Sequence, residues 1–158
     1  MERPLFLNVW QRFSEINVSV DKVGEIIGGS VGVNIRLGVN DPVAGFTNAC
    51  AIRMSYALNY SNNRIKRGVW KTVSGADRNW YIYRVKDLIA YLIEEYGPPE
   101  IVIQYPTGAD FQGVKGILIF SVNGWRDASG HVTLWNGSLC SDRCYFPVSS
   151  EASLWLLD

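Results

Sequence analysis

The chain has 158 residues, 47% hydrophobic and 19% charged, enough apolar content for a folded core and too much for a disordered segment. Fifteen basic residues balance fifteen acidic ones, so no global positive field points to nucleic acid. The strongest apolar run, Ile117-Leu118-Ile119-Phe120, is far too short to cross a bilayer, and Met1-Glu2-Arg3-Pro4-Leu5-Phe6-Leu7-Asn8 lacks the apolar region of a secretory signal.

Pro4 is placed to open a first helix, in which Leu5, Phe6, Val9, Trp10 and Phe13 form an apolar stripe. A second helix is expected over Val20 to Ile27, with Val20, Val23, Ile26 and Ile27 inward and Gly28-Gly29 as its stop. The segment from Gly28 to Gly45 is glycine-rich but lacks the Gly-Lys-Ser/Thr ending of a P-loop, and it reads as a surface connection. Phe46 to Asn59 begins as a loop and turns helical. Asn48 is its candidate N-cap, and Ala51, Met54 and Leu58 share one helix face. Ser61 to Asn79 is polar and carries Arg64, Lys66, Arg67, Lys71 and Arg78, either as a solvated loop or as a contact for an anionic substrate.

Val85, Leu88, Ile89, Leu92, Ile93 and Tyr96 repeat with helical spacing, and Gly97-Pro98-Pro99 ends that helix. Beyond it the pattern changes to short β-branched and aromatic runs: Ile101-Val102-Ile103, Gly116 to Val122, His131 to Trp135 and Ala152 to Leu157. Helices first and strands afterwards predict a single α+β domain over residues 1–158, its antiparallel sheet packed on the helix that starts near Cys50.

A cysteine at the first helical position sits where backbone N–H groups converge and the helix dipole favours a thiolate. Cys50 therefore reads either as a small core residue or as a nucleophile. His131 is the one histidine in the chain, so Cys–His chemistry must use it. A third group is needed to orient the imidazole, and Asp127, Asn136 and Asp142 are the candidates. Asn136 lies five residues along the same strand, on its opposite face and about 17 Å away. Asp127 sits in a turn just before the strand and stays compatible. Asp142 lies on a segment returning after Asn136-Gly137, between Cys140 and Cys144, and is the favoured partner. The close pair and the distant single thiol suggest one bridge and one free cysteine under oxidising conditions. A competing arrangement puts Cys50, His131, Cys140 and Cys144 around a zinc ion. No Gly-x-Ser-x-Gly elbow supports serine chemistry.

The order cysteine, Gly-His on a strand, then aspartate resembles the papain-like NlpC/P60 peptidases of bacterial cell walls. The chain is more closely similar to the type VI secretion amidase effector family 4, through Asn48-Ala49-Cys50-Ala51-Ile52-Arg53-Met54-Ser55, Gly130-His131-Val132-Thr133-Leu134-Trp135-Asn136-Gly137, Cys140-Ser141-Asp142-Arg143-Cys144-Tyr145 and Val23-Gly24-Glu25-Ile26-Ile27-Gly28-Gly29. The resemblance implies a papain-like single domain with Cys50 as nucleophile, His131 as general base, Asp142 as third member and a Cys140–Cys144 disulfide, with no metal or other cofactor. It further implies cleavage between D-glutamate and meso-diaminopimelate in peptidoglycan stem peptides, delivery by the type VI apparatus from a cytoplasm where the chain is made without a signal, action in a rival's periplasm and a cognate immunity protein. Neither nucleic acid nor membrane insertion enters this scheme. The alternative is a non-catalytic wall-binding or interaction module with a structural Cys/His site, using exposed aromatics among Trp70, Trp80 and Trp125.

Overall fold

The computed structural model describes residues 2–40, 45, 46, 48–122 and 130–158. Helix α1 spans Phe6–Ile16 and buries Phe6, Val9, Phe13 and Ile16, while Leu5 stays exposed outside it. Helix α2, Val20–Ile27, begins at Ser19, whose hydroxyl accepts the Lys22 N–H at 3.4 Å. It ends at Gly28, whose φ of 65° suits a residue without a Cβ.

The expected surface connection after Gly28 is instead helix α3, Gly29–Asn40. Its glycines serve packing. Gly32 lies so close to the Gly24 carbonyl that an added Cβ would sit 2.9 Å from that oxygen, and Val31 and Ile35 fill the core beside this contact. The chain then doubles back. The Phe46 N–H bonds the Asn34 carbonyl at 2.8 Å, and a Cβ at Gly38 would overlap the Phe46 backbone.

Helix α4, Cys50–Asn59, is the hub. The sequence pattern gave it one apolar face, yet eight of its ten residues are buried. Small residues explain this, because Ala51, Ser55 and Ala57 let neighbours close in on several sides. The Ser55 hydroxyl donates to the Ala51 carbonyl and accepts the Ile82 N–H, and Asn59 bridges the Trp80 carbonyl and the Ile65 N–H. Those contacts tie α4 to an antiparallel hairpin absent from the sequence reading, β1 (Thr72–Ser74) with β2 (Trp80–Ile82). Helix α5, Val85–Tyr96, follows and stops at Gly97 as its pattern required, although Ile93 is 46% exposed.

Strands β3 (Ile101–Gln104), β4 (Gly116–Ser121), β5 (Gly130–Trp135) and β6 (Glu151–Leu156) form an antiparallel sheet in the order β3-β6-β4-β5. Its two faces serve two cores. Ile117, Ile119, Val132 and Leu134 pack with α1, α4 and α5, while Leu118, Phe120, Trp135 and Leu154 pack with Phe111 and the Cys140–Phe146 segment. The α+β architecture, with an antiparallel sheet against the Cys50 helix, is as the pattern predicted. No helix among the described residues is long and apolar enough to cross a membrane.

Candidate active site

Cys50 is the first residue of α4 and is only 2% exposed. Ala49 occupies the cap position, so Asn48 does not cap the helix in the expected way. Instead the Asn48 Oδ1 accepts the Cys50 N–H at 3.0 Å, a side-chain turn over two residues. The Cys50 N–H is thus already bonded in this structure.

Strand β5 carries His131 opposite Phe120 and Thr133 opposite Leu118. The twofold period of a strand places His131 and Thr133 on the same face. After β5 the chain turns at Asn136, whose Oδ1 accepts the Ser138 and Leu139 N–H groups, and Gly137 adopts a φ of 104°. The returning segment pairs back through the Ser141 N–H to the Leu134 carbonyl at 2.8 Å, and Cys140 bonds Cys144 across it. Asp142 lies between these two cysteines and reaches His131.

The His131 Nε2 is 3.0 Å from Asp142 Oδ2 and 3.2 Å from Oδ1. An ionised carboxylate only accepts, so Nε2 carries the hydrogen and Nδ1 is left for Cys50. Burial alone would favour neutral imidazole, but hydrogen bonds to Asp142 and Cys50, with the charges of both, raise the His131 pKa to about 9. Burial also favours the neutral form of Asp142, yet hydrogen bonds from His131, Thr133 and the Arg143 backbone hold its carboxyl below the usual range. The Tyr145 ring meets the imidazole edge-on, with centroids 4.7 Å apart, and limits its rotation.

Two residues of this network were missed in the sequence. The Thr133 hydroxyl donates to Asp142 Oδ1 at 2.5 Å and lies 3.0 Å from the Ser141 hydroxyl, which in turn accepts the Leu134 N–H. Thr133 spends its one hydrogen on Asp142, so Ser141 donates to Thr133. The only signal available was the two-residue offset of Thr133 from His131. Other candidates fall elsewhere. Asn136 builds the turn, Asp127 and Trp125 lie outside the described residues, and Trp70 is buried. Arg64 bonds Asn79 Oδ1, and Arg67 sits 5.2 Å over the Trp80 ring. The disulfide withdraws Cys140 and Cys144 from the zinc arrangement, and no cluster of three or more metal-binding side chains occurs among the described residues.

A family model described as "Type VI secretion system (T6SS), amidase effector protein 4" matches residues 46–155. The chain is similar to the effector Tae4 of Salmonella Typhimurium, solved in a complex with the immunity protein Tai4, at 46% identity over 99% of this chain and 100% of that one, with a TM-score of 0.91. It is similar to Tae4 of Enterobacter cloacae in its Tae4–Tai4 complex, at 44% identity over 99% and 100% of the two chains and a TM-score of 0.92. Tae4 of Enterobacter cloacae solved alone gives 45% identity over 99% and 98%, with a TM-score of 0.91. No curated protein sequence matches the chain closely.

Proposed function

The chain belongs to the type VI secretion system amidase effector 4 family, and from that membership we propose that it is a cysteine amidase acting on peptidoglycan. The bond is the amide between the D-glutamate γ-carboxyl and meso-diaminopimelate in the stem peptide. The observation that carries the cysteine chemistry is the His131–Asp142 contact, which leaves Nδ1 free for the one unpaired thiol, at the positive end of a helix.

In the proposed reaction His131, whose raised pKa keeps it an imidazolium at neutral pH, already holds a proton at Nδ1, and Cys50 Sγ attacks the carbonyl carbon beside it. Asp142 stabilises the imidazolium and fixes its plane. When the tetrahedral intermediate collapses, the C–N bond breaks and the amine of diaminopimelate takes that proton from His131. Water, activated by His131, then hydrolyses the thioester. The chain travels from the producing cytoplasm through the type VI apparatus and acts in the periplasm of a rival. Its counterpart in the producer is an immunity protein, by analogy with the Tai4 partners of the similar effectors.

The test is digestion of diaminopimelate-type peptidoglycan fragments by wild type and by Cys50→Ala, read by mass spectrometry. A disaccharide dipeptide from the wild type alone supports the reading. Cleavage between muramic acid and L-alanine would move the bond. No cleavage by folded wild type would favour a binding module instead.

A further inference from the structure

An imidazolium beside a carboxylate carries no net charge, so His131 and Asp142 balance each other. The next residue, Arg143, is a charge left over. Its side chain is exposed, and among the described residues no carboxylate pairs with it, whereas Arg3, Arg12 and Arg84 each hold one. The adjacent acid, Asp142, is already taken by His131 and Thr133. Arg53, one turn along α4 from Cys50, is tied instead to the Val18 carbonyl at 2.8 Å.

The Arg143 guanidinium is also held beside the site. Its central carbon stands 5.9 Å from the centre of the Tyr145 ring, and the same ring lies 4.7 Å, centre to centre, from the His131 imidazole. Guanidinium and general base thus flank one aromatic side chain. The backbone under Arg143 is fixed as well, since its N–H bonds Asp142 and it lies inside the Cys140–Cys144 bridge. A cation–π contact holds the planar group without using its N–H donors, which remain available for a two-pronged pair with a carboxylate.

The substrate of the proposed reaction supplies such groups. A glutamate joined through its γ-carboxyl keeps its α-carboxylate free, a few carbon–carbon bonds from the carbonyl that Cys50 attacks. Diaminopimelate carries carboxylate on the leaving side of the same amide. We propose that Arg143 is a substrate-binding residue that pairs with a free stem-peptide carboxylate flanking the scissile amide, so that the charge of the stem decides which substrates are accepted. The proposal rests on the cysteine amidase reading.

Steady-state kinetics would compare wild type, Arg143→Gln and Arg143→Lys on three muropeptides: the parent, its glutamate α-amide, and a form amidated on diaminopimelate. On the parent, Arg143→Gln should lower kcat/KM by about 10–100-fold, the worth of a hydrogen-bonded charge pair. The loss should lie in KM with kcat little changed, and Arg143→Lys should recover part of it. Amidating the paired carboxylate should cost wild type a similar factor, and the two losses should not multiply, because they remove the same contact. The amide that abolishes the dependence on Arg143 identifies which carboxylate is bound. An equal loss in Arg143→Gln on all three substrates, or a loss confined to kcat, would overturn the proposal and make Arg143 a support for Asp142. An unchanged KM on the parent would overturn it too. Wild type inactive on the parent would reject the amidase reading itself, and this proposal with it.

Discussion

At the scale of single residues, Asp142 accepts from two neighbours on one strand face, His131 and Thr133. Thr133 is fully buried, so Thr133→Val keeps its shape and removes the hydrogen bond to a charged group, a loss of about 1.5–3 kcal/mol. We expect kcat to fall in Thr133→Val and to recover in Thr133→Ser, a rescue that packing alone would not produce. The same pair makes stability depend on pH. The His131 pKa is raised to about 9, so its contribution is complete below about 6.5 and lost as pH rises through about 9. The Asp142 pKa is lowered, so its contribution is present above about 4 and lost as pH falls through its folded value. The difference in Tm between wild type and Asp142→Asn should therefore be greatest between about pH 4 and 6.5 and shrink towards pH 9. A difference independent of pH would contradict this. Cys50 and His131 were legible because the chain has one histidine and one cysteine without a nearby mate. Thr133 and the Asn48 contact were not, because common polar residues acquire such roles only through register and local turns.

At the scale of elements, the segment from Cys140 to Cys144 holds Asp142 in place. The disulfide closes a loop of only five residues, so it adds little global stability. Its effect is positional, together with the Asn17 side chain, which donates to the Ser141 carbonyl at 3.2 Å. Misplacing a catalytic group by about 1 Å can cost 10²-fold in rate. Cys140→Ser should therefore lower kcat by up to about 10²-fold while moving Tm by only a few degrees. Equal loss of fold and activity on thermal melting would assign the bridge to stability instead. Helices α1, α2 and α5 were legible from apolar spacing, the last two also from their glycine stops. Helix α3 was hidden because Gly32 and Gly38 looked like loop residues, whereas they allow close approach of α2 and of the Phe46 backbone. The hairpin of β1 and β2 was hidden by strands three residues long, too short to show a period.

At the scale of the whole molecule, the sheet carries one core on each face, and the proposed site lies where the edge strand β5 meets the start of α4. The helical half presents Cys50 and the strand half presents His131 and Asp142, so proposed nucleophile and base come together only when the two halves dock. That division explains why helix and strand periods revealed the architecture, while the contact between distant residues had to come from chemistry and family likeness. The central claim is that Cys50 becomes acylated by the γ-D-glutamyl group. The direct measurement is intact-protein and peptide mass spectrometry after rapid acid quenching of the enzyme with a diaminopimelate-containing muropeptide. The account predicts a transient adduct with the mass of the disaccharide dipeptide acyl group, on the peptide containing Cys50 and absent in Cys50→Ala. Turnover with no adduct at any quench time, or an adduct on another residue, would contradict it.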